Sequence, residues 1–283
     1  MVDEIYRFQV GKLECLALCA LAGPSTVRGD YTNVPDDELE RACRALNYDP
    51  DDVPAACIPL AVRSEDGQWI LVDTSVPGDA TTPNPVAALL RTAGITPEAI
   101  QQVVITHVHF DHLGGLADEA DQLIYPNACY VLWQTEWADW WSKKRLADTP
   151  RPVSNVDRTN HQLSLIKDKI NLLEVETEIV PGVTITPLLG HTSGQVGLWL
   201  KSAGEQMLFI ADAMHTPMQI AHPEWIFGFD THPEVAIATR RAIMERAAAA
   251  QIPIMAYHFP FPGIGKVIAD GNAWKWQPLV SSG

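Results

Sequence analysis

Positive charge is scarce in this chain. Its 283 residues carry 20 Lys and Arg against 35 Asp and Glu, a formal net charge of -15. Nucleic acids and anionic membrane surfaces are gripped through basic patches, so both are disfavoured as partners. Cysteine is scarce as well. Cys15, Cys19, Cys43, Cys57 and Cys129 are odd in number, scattered, and contain no Cys-x-x-Cys pair. That spacing argues against a disulfide framework and against a thiolate zinc site, leaving free, mostly buried thiols. No uninterrupted apolar run reaches the roughly 18 residues of a membrane span. The start, Met1-Val2-Asp3-Glu4-Ile5-Tyr6, has neither the basic nor the long apolar region of a signal peptide. The expectation is a cytoplasmic protein. Short-period repeats and low-complexity tracts are missing too.

What remains is an ordinary globular composition, 47% hydrophobic and 19% charged. A chain of this length can bury most of its apolar surface. Residues Tyr6 to Leu21 read as two strands broken at Gly11-Lys12. A long polar segment follows, from Gly23 to Ala56, with a short helix at Asp36 to Arg41 and Pro/Asp turns from Asp49 to Pro54. Such a segment either covers a site or packs on the surface. Ile58–Val62 and Trp69–Val72 read as a hairpin, Pro85–Ala93 and Pro97–Ile100 as helices, and Gln101–Ile105 as a strand. Further strands are expected near Gln122–Tyr125 and Cys129–Leu132. A helix at Gln134–Leu146 carries Trp137, Trp140 and Trp141, read as core or interface, and Thr149 to Arg158 reads as a loop. Strands at Val183–Pro187, Gln195–Leu200, Gln206–Ile210 and Ile252–Met255 surround a long helix at Pro233–Ala250, with Arg240, Arg241 and Arg246 expected on its polar side. His161, His222 and His232 are read as structural or surface histidines.

One stretch carries chemistry. Thr106-His107-Val108-His109-Phe110-Asp111-His112-Leu113-Gly114-Gly115 follows a β-branched apolar run and holds three histidines and one aspartate within six residues. On a strand His107 and His109 would point the same way, with Asp111 and His112 in the turn beyond. Imidazole and carboxylate at these spacings suit Zn²⁺ or a similar borderline metal.

His-x-His-x-Asp-His closing a strand resembles the signature of the metallo-β-lactamase superfamily. Candidates for that family's downstream ligands stand in the right order: His191 in Leu-Gly-His-Thr-Ser-Gly, Asp212 in Phe-Ile-Ala-Asp-Ala, and His258 in Ala-Tyr-His-Phe. The resemblance spans roughly Ile58 to His258. It implies an α/β fold (α+β in some schemes), a four-layered αβ/βα sandwich, here one domain over 1–283 with a long loop insertion at about 22–57. It implies two divalent ions, zinc first, with manganese, iron or cobalt as alternatives. His107, His109 and His191 would hold one, Asp111, His112 and His258 the other, and Asp212 would bridge them. Asp111 would double as a proton shuttle. Leu-Val-Asp73-Thr-Ser resembles the family's Asp-Thr-Gly element, with Ser75 where glycine is usual. Asp73 would support the metal centre from behind its ligands.

The bridging Asp212 is typical of the lactonases, phosphotriesterases and thioesterases of this fold. Only 25 residues follow His258, too few for the helical domain of glyoxalase II-type thioesterases. Ala213-Met-His215-Thr-Pro, His222-Pro-Glu-Trp225, Phe229-Asp230, Ala238-Thr-Arg240 and Tyr257-His-Phe-Pro-Phe-Pro-Gly263 resemble the branch of quorum-quenching N-acyl-homoserine lactonases and methyl parathion hydrolase. Lactonases there carry a tyrosine three residues after the bridging aspartate. His215 stands at that position and can also donate a hydrogen bond to substrate. The resemblance thus implies a metallohydrolase in which a metal-bridging hydroxide attacks a lactone, ester or phosphotriester. The alternatives are a β-lactamase-like amidase, another thioesterase, or a metal-stabilised binding protein. The implied partner is a small-molecule substrate, and relatives of the branch are often dimers.

Overall fold

The computed structural model describes residues 4–78, 81, 84–141, 153–271 and 273–279. Its first half supplies β1 (Ile5–Val10), β2 (Leu13–Leu18), β3 (Leu21–Ser25), helix α1 (Asp36–Ala45), β4 (Val53–Cys57), β5 (Leu60–Arg63), β6 (Trp69–Val72) and α2 (Pro85–Thr92). Then come β7 (Ile100–Val104), the short α3 (Phe110–Leu113), β8 (Cys129–Trp133), α4 (Gln134–Trp141), α5 (Val153–Ile166) and β9 (Ile170–Leu173). The second half supplies β10 (Thr177–Val180), β11 (Val183–Pro187), β12 (Val196–Ser202), β13 (Glu205–Phe209), α6 (Met218–Ala221), α7 (Pro233–Ala250), β14 (Ile254–Met255), β15 (Ile264–Asp270) and β16 (Ala273–Pro278).

Two seven-stranded mixed sheets result, ordered β1-β2-β5-β6-β7-β8-β9 and β10-β11-β12-β13-β14-β15-β16, with β3 and β4 paired separately. Strand alternation explains the layering. Val62, Ile70, Val72, Ile185, Leu198, Leu200 and Phe209 point into the core between the sheets. Their neighbours Ala61, Leu71 and Val103 pack under α2 and α5, and Trp199, Leu208 and Ile210 under α7. Both faces of the central strands are therefore apolar, as strands covered on both sides require. Each fully buried Leu, Ile or Phe contributes about 1.5–3 kcal/mol. The layers run helix, sheet, sheet, helix: the four-layered sandwich expected.

Several local readings change. Residues 122–125 form no strand, only a bridge between Ala117 and Leu123. The Asp118 carboxylate accepts the N–H groups of Ala120 and Gln122 and folds the chain into a turn. Val153 to Arg158, expected as loop, opens α5. Residues 142–152, with the rest of both readings, lie outside the described residues. The segment expected as a loop is framed by β3 and β4 and carries α1. It has its own apolar cluster, where Val27, Tyr31, Leu39, Cys43 and Val53 meet Met218 and Trp225. Its polar composition hid that packing. The strands β9, β10, β15 and β16 were not anticipated, and Trp274 and Trp276 of β16 pack against the helix-side core. No described helix is long and apolar enough to cross a membrane.

Candidate metal centre

The site forms where strands end. β6 runs into Asp73, β7 into the His107 loop, β13 into Asp212 and β14 into His258, so four chain crossings deliver their side chains to one rim. β7 stops at Val104, before the histidines. The rings of His107 and His109 still lie 4.4 Å apart, brought there by the loop rather than by pleating. Asp111 and His112 sit in α3, with His109 at its N-terminal boundary. Gly115 lets this turn close: a Cβ there would lie 2.3 Å from the Thr74 carbonyl oxygen.

The cluster is centred on Asp212, which is 3% exposed. Asp212 Oδ1 lies 3.3 Å from His112 Nε2. Asp212 Oδ2 lies 3.2 Å from His258 Nε2, 3.5 Å from His191 Nε2, 3.3 Å from His215 Nε2 and 3.7 Å from His107 Nε2. His109 Nδ1 is 2.9 Å from His191 Nε2. Asp111 Oδ2 completes the group, 3.3 Å from His258 Nε2 and 3.7 Å from His112 Nε2. The structure thus brings together all seven residues proposed as ligands. His107, His109, His191 and Asp212 form one group whose ligand atoms lie within 4.8 Å of one another, and His112, Asp212 and His258 form another.

The outer ring nitrogens reveal which way the inner ones face. His258 Nδ1 is 3.0 Å from the Ala56 carbonyl, which can only accept, so Nδ1 carries the proton. His112 Nδ1 faces Asp73 Oδ2 at 2.8 Å and His191 Nδ1 faces Asp230 Oδ1 at 3.0 Å. Each imidazole then turns an Nε2 lone pair toward a carboxylate oxygen. Buried His112 Nε2 and Asp212 Oδ1 have no hydrogen-bond partner, and two acceptors 3.3 Å apart repel. Cations between them resolve the conflict, so the residues fit a metal centre and could hold it. Without metal, protons are drawn in instead. Burial opposes charge on His112 and His258, but Asp212 and its neighbouring carboxylates push both well above the ordinary histidine value. Burial would raise Asp212, yet His112 and His258 pull it well below the carboxylate range. Burial lowers His215 to about 4, against the pull of Asp212.

Asp73 is fully buried and stands behind the cluster. Besides His112 it accepts the backbone N–H and hydroxyl of Thr106, both at 2.8 Å. Asp73 has φ 62° and Ser75 φ 59°. Both are left-handed, so the position usually held by glycine needs glycine's conformation and takes serine under strain.

The supporting roles of Arg240, Asp230, Glu136 and Cys57 escaped the sequence reading. Arg240, expected on a polar face, is fully buried. It donates to the carbonyls of Ala213, Pro223 and Trp225 and pairs with Asp230 at 3.1 Å, so it stands directly behind the residue that orients His191. Buried Glu136 accepts the N–H of Val108 at 3.1 Å and of Gly194 at 2.9 Å, tying the two histidine loops together. Cys57 Sγ lies with the ligand atoms of Asp111 and His258. None has a spacing signal, because each partner is distant in sequence. Of the remaining histidines, His222 stacks on Trp225 with ring centres 4.4 Å apart, and exposed His161 pairs with Asp121 at 2.7 Å. His232 sits exposed at the start of α7 without a side-chain capping bond.

A cavity of about 510 Å³ opens over the cluster. Asp111, Asp212, His215 and His258 line its floor, and Val27, Val53, Pro54, Ala55, Phe227 and Phe229 its wall. The His215 ring stacks on Phe227 with centres 3.6 Å apart.

The family model of the metallo-beta-lactamase superfamily matches residues 60–276. The chain belongs to that superfamily. The N-acyl homoserine lactonase AiiA of Bacillus thuringiensis subsp. kurstaki is 24% identical over 217 residues, 68% of this chain and 76% of that protein. A Bacillus sp. N-acyl homoserine lactonase is 25% identical over 217 residues, 69% of this chain and 76% of that protein. Among solved structures, AidC, a dizinc quorum-quenching lactonase in complex with its product N-hexanoyl-L-homoserine, superposes with a TM-score of 0.88. It is 21% identical and covers 99% of this chain and 100% of that one. The hydrolase AbOPH of the beta-lactamase superfamily gives 0.89 at 24% identity, covering both chains in full. These structures share the superfamily fold with this chain.

Proposed function

We propose that this chain is a dinuclear metal-dependent hydrolase that opens lactones and cleaves related esters, with N-acyl homoserine lactones as the leading substrate class. The observation that supports this reading most is the set of imidazoles around Asp212, with His112, His191 and His258 each held from behind by an acceptor, at the floor of a cavity with an apolar wall. His107, His109 and His191 would hold one ion, Asp111, His112 and His258 the other, and Asp212 would bridge. Zinc fits this donor set, as do manganese, iron and cobalt. When bound, the pair would activate water at neutral pH and polarise the substrate carbonyl.

The other roles fall to the protein. Asp73, Asp230 and the Ala56 carbonyl orient three imidazoles so that their lone pairs face inward. Asp111, 38% exposed at the cavity floor, is placed to pass a proton to the leaving alkoxide. His215 presents a neutral ring on the cavity floor, stacked on Phe227. Its N–H would serve the substrate oxygen that a tyrosine serves in the lactonases it resembles. The apolar wall would take an acyl chain and shed water from it. The cavity volume falls within the roughly 300–1,000 Å³ of small-molecule sites. The names of the sequence relatives support the lactone class.

One residue raises a second reading: His215 stands where the lactonases this chain resembles carry a tyrosine, and phosphotriester cleavage is the other chemistry of that branch. Turnover of N-hexanoyl homoserine lactone and of paraoxon by one metal-loaded preparation separates them. Lactone opening that disappears with chelation is expected. Paraoxon cleavage alone would move the assignment to phosphotriesters. Turnover of neither, with metal bound, would overturn both.

A further inference from the structure

Among the described residues, the cavity wall contains one charged side chain away from the metal centre. Asp30 lines the same cavity as Asp111, Asp212 and His258, and no described lysine or arginine lines it. Backbone pairing places Asp30: Tyr31 bridges Phe227, the Gly228 N–H donates to the Asp30 carbonyl at 2.7 Å, and the Thr32 N–H donates to Ile226 at 3.0 Å. This short ladder sets Asp30 opposite Gly228, in register with the stretch that carries Phe227 and Phe229. Their rings are 5.7 Å apart, and Phe229 is 46% exposed. Among the described residues no donor reaches the Asp30 carboxylate and no cation pairs with it. Burial raises its pKa with nothing to offset the shift. A half-buried carboxylate is poorly solvated and gains from a cation, and aromatic faces beside an acid are the usual setting for an alkylammonium group.

We propose that Asp30, which lines the cavity with Phe227 and Phe229, is a subsite for a positively charged amine at the end of the substrate remote from the bond that is cleaved. The inference rests on the cavity being the substrate site. With Asp111 and Asp212 engaged by metal, Asp30 is the carboxylate left, among the described lining residues, to select charge. An ammonium there gains an ion pair, a methyl group gains only contact, and a carboxylate is repelled.

The test compares the p-nitrophenyl esters of heptanoic acid and of its ω-amino isostere. The wild type should favour the amino ester about fivefold in kcat/KM, through KM, as a partly exposed ion pair allows. Asp30→Asn should bring the ratio to about one, and Asp30→Glu should keep the preference. Calorimetry on the metal-loaded protein gives a second readout: hexylammonium should bind the wild type about fivefold more tightly than Asp30→Asn. An unchanged ester ratio in Asp30→Asn, with both esters turned over, would overturn the subsite alone. If neither ester is turned over, the hydrolase reading fails, and the hexylammonium comparison still decides whether Asp30 binds cations.

Discussion

The floor of the cavity is made of strand ends, and its wall is made of an excursion between two short strands. On the floor, His107, His112, His191 and Asp212 are almost fully buried, and carboxylates or carbonyls stand behind the rings of His112, His191 and His258. On the wall, Val27, Asp30, Val53 and Pro54 come from the 26–54 stretch, packed on Trp225 and Met218, with Phe227 and Phe229 from beyond α6. The floor is held by hydrogen bonds that tolerate little change, the wall by apolar contact that tolerates repacking. The difference separates two jobs. On the proposed function, the floor would carry the hydrolytic chemistry and the wall would select the substrate.

If that division holds, floor and wall variants fail in different ways. The largest effect is expected at the hub. Asp212→Ala should lower kcat/KM on the order of a thousandfold, since the charge stabilisation it organises is worth several kcal/mol, and bound metal should fall with it; steady-state kinetics beside metal analysis reads both. Next is Arg240→Met, which leaves Asp230 buried beside His191 without its cation. Unfolding in urea should show a loss of about 3–5 kcal/mol, whereas an unchanged midpoint would mean that Asp230 does not depend on Arg240. Third, Asp73→Asn and Asp230→Asn should each weaken metal binding about 10- to 100-fold while the fold persists. Competition with a chromophoric chelator measures it, and affinity equal to wild type would remove the support role. The smallest effect is on the wall. Phe229→Ala should alter KM for long-chain substrates a few-fold, about 1 kcal/mol of lost contact, with metal content unchanged. A Phe229→Ala protein that loses metal would break the distinction between floor and wall.

How much of each region was legible in the sequence follows from the same difference. The six-residue run from His107 to His112 is local, and its ligand spacing is readable because the loop that presents it is short. His191, Asp212 and His258 were legible because each trails an apolar strand, and strand ends meet at one rim. The supports were not. Arg240 reads as one more polar residue of α7, and only the fold shows it donating to Ala213 and Trp225. Glu136 lies among tryptophans on α4, and nothing nearby signals that its oxygens reach Val108 and Gly194. The wall was least legible. Residues 23–56 are polar and rich in turn formers, so their tight cluster around Tyr31 and Trp225 left no periodicity to read.

The proposed chemistry depends most on Asp212 sitting between two ions. Elemental analysis of the purified protein after metal loading, run beside Asp212→Asn, tests that directly. The expected result is about two metals per chain in the wild type, as a two-metal site requires, and a clear loss in the variant. One tightly held metal or none in the wild type, or equal content in both proteins, would contradict it.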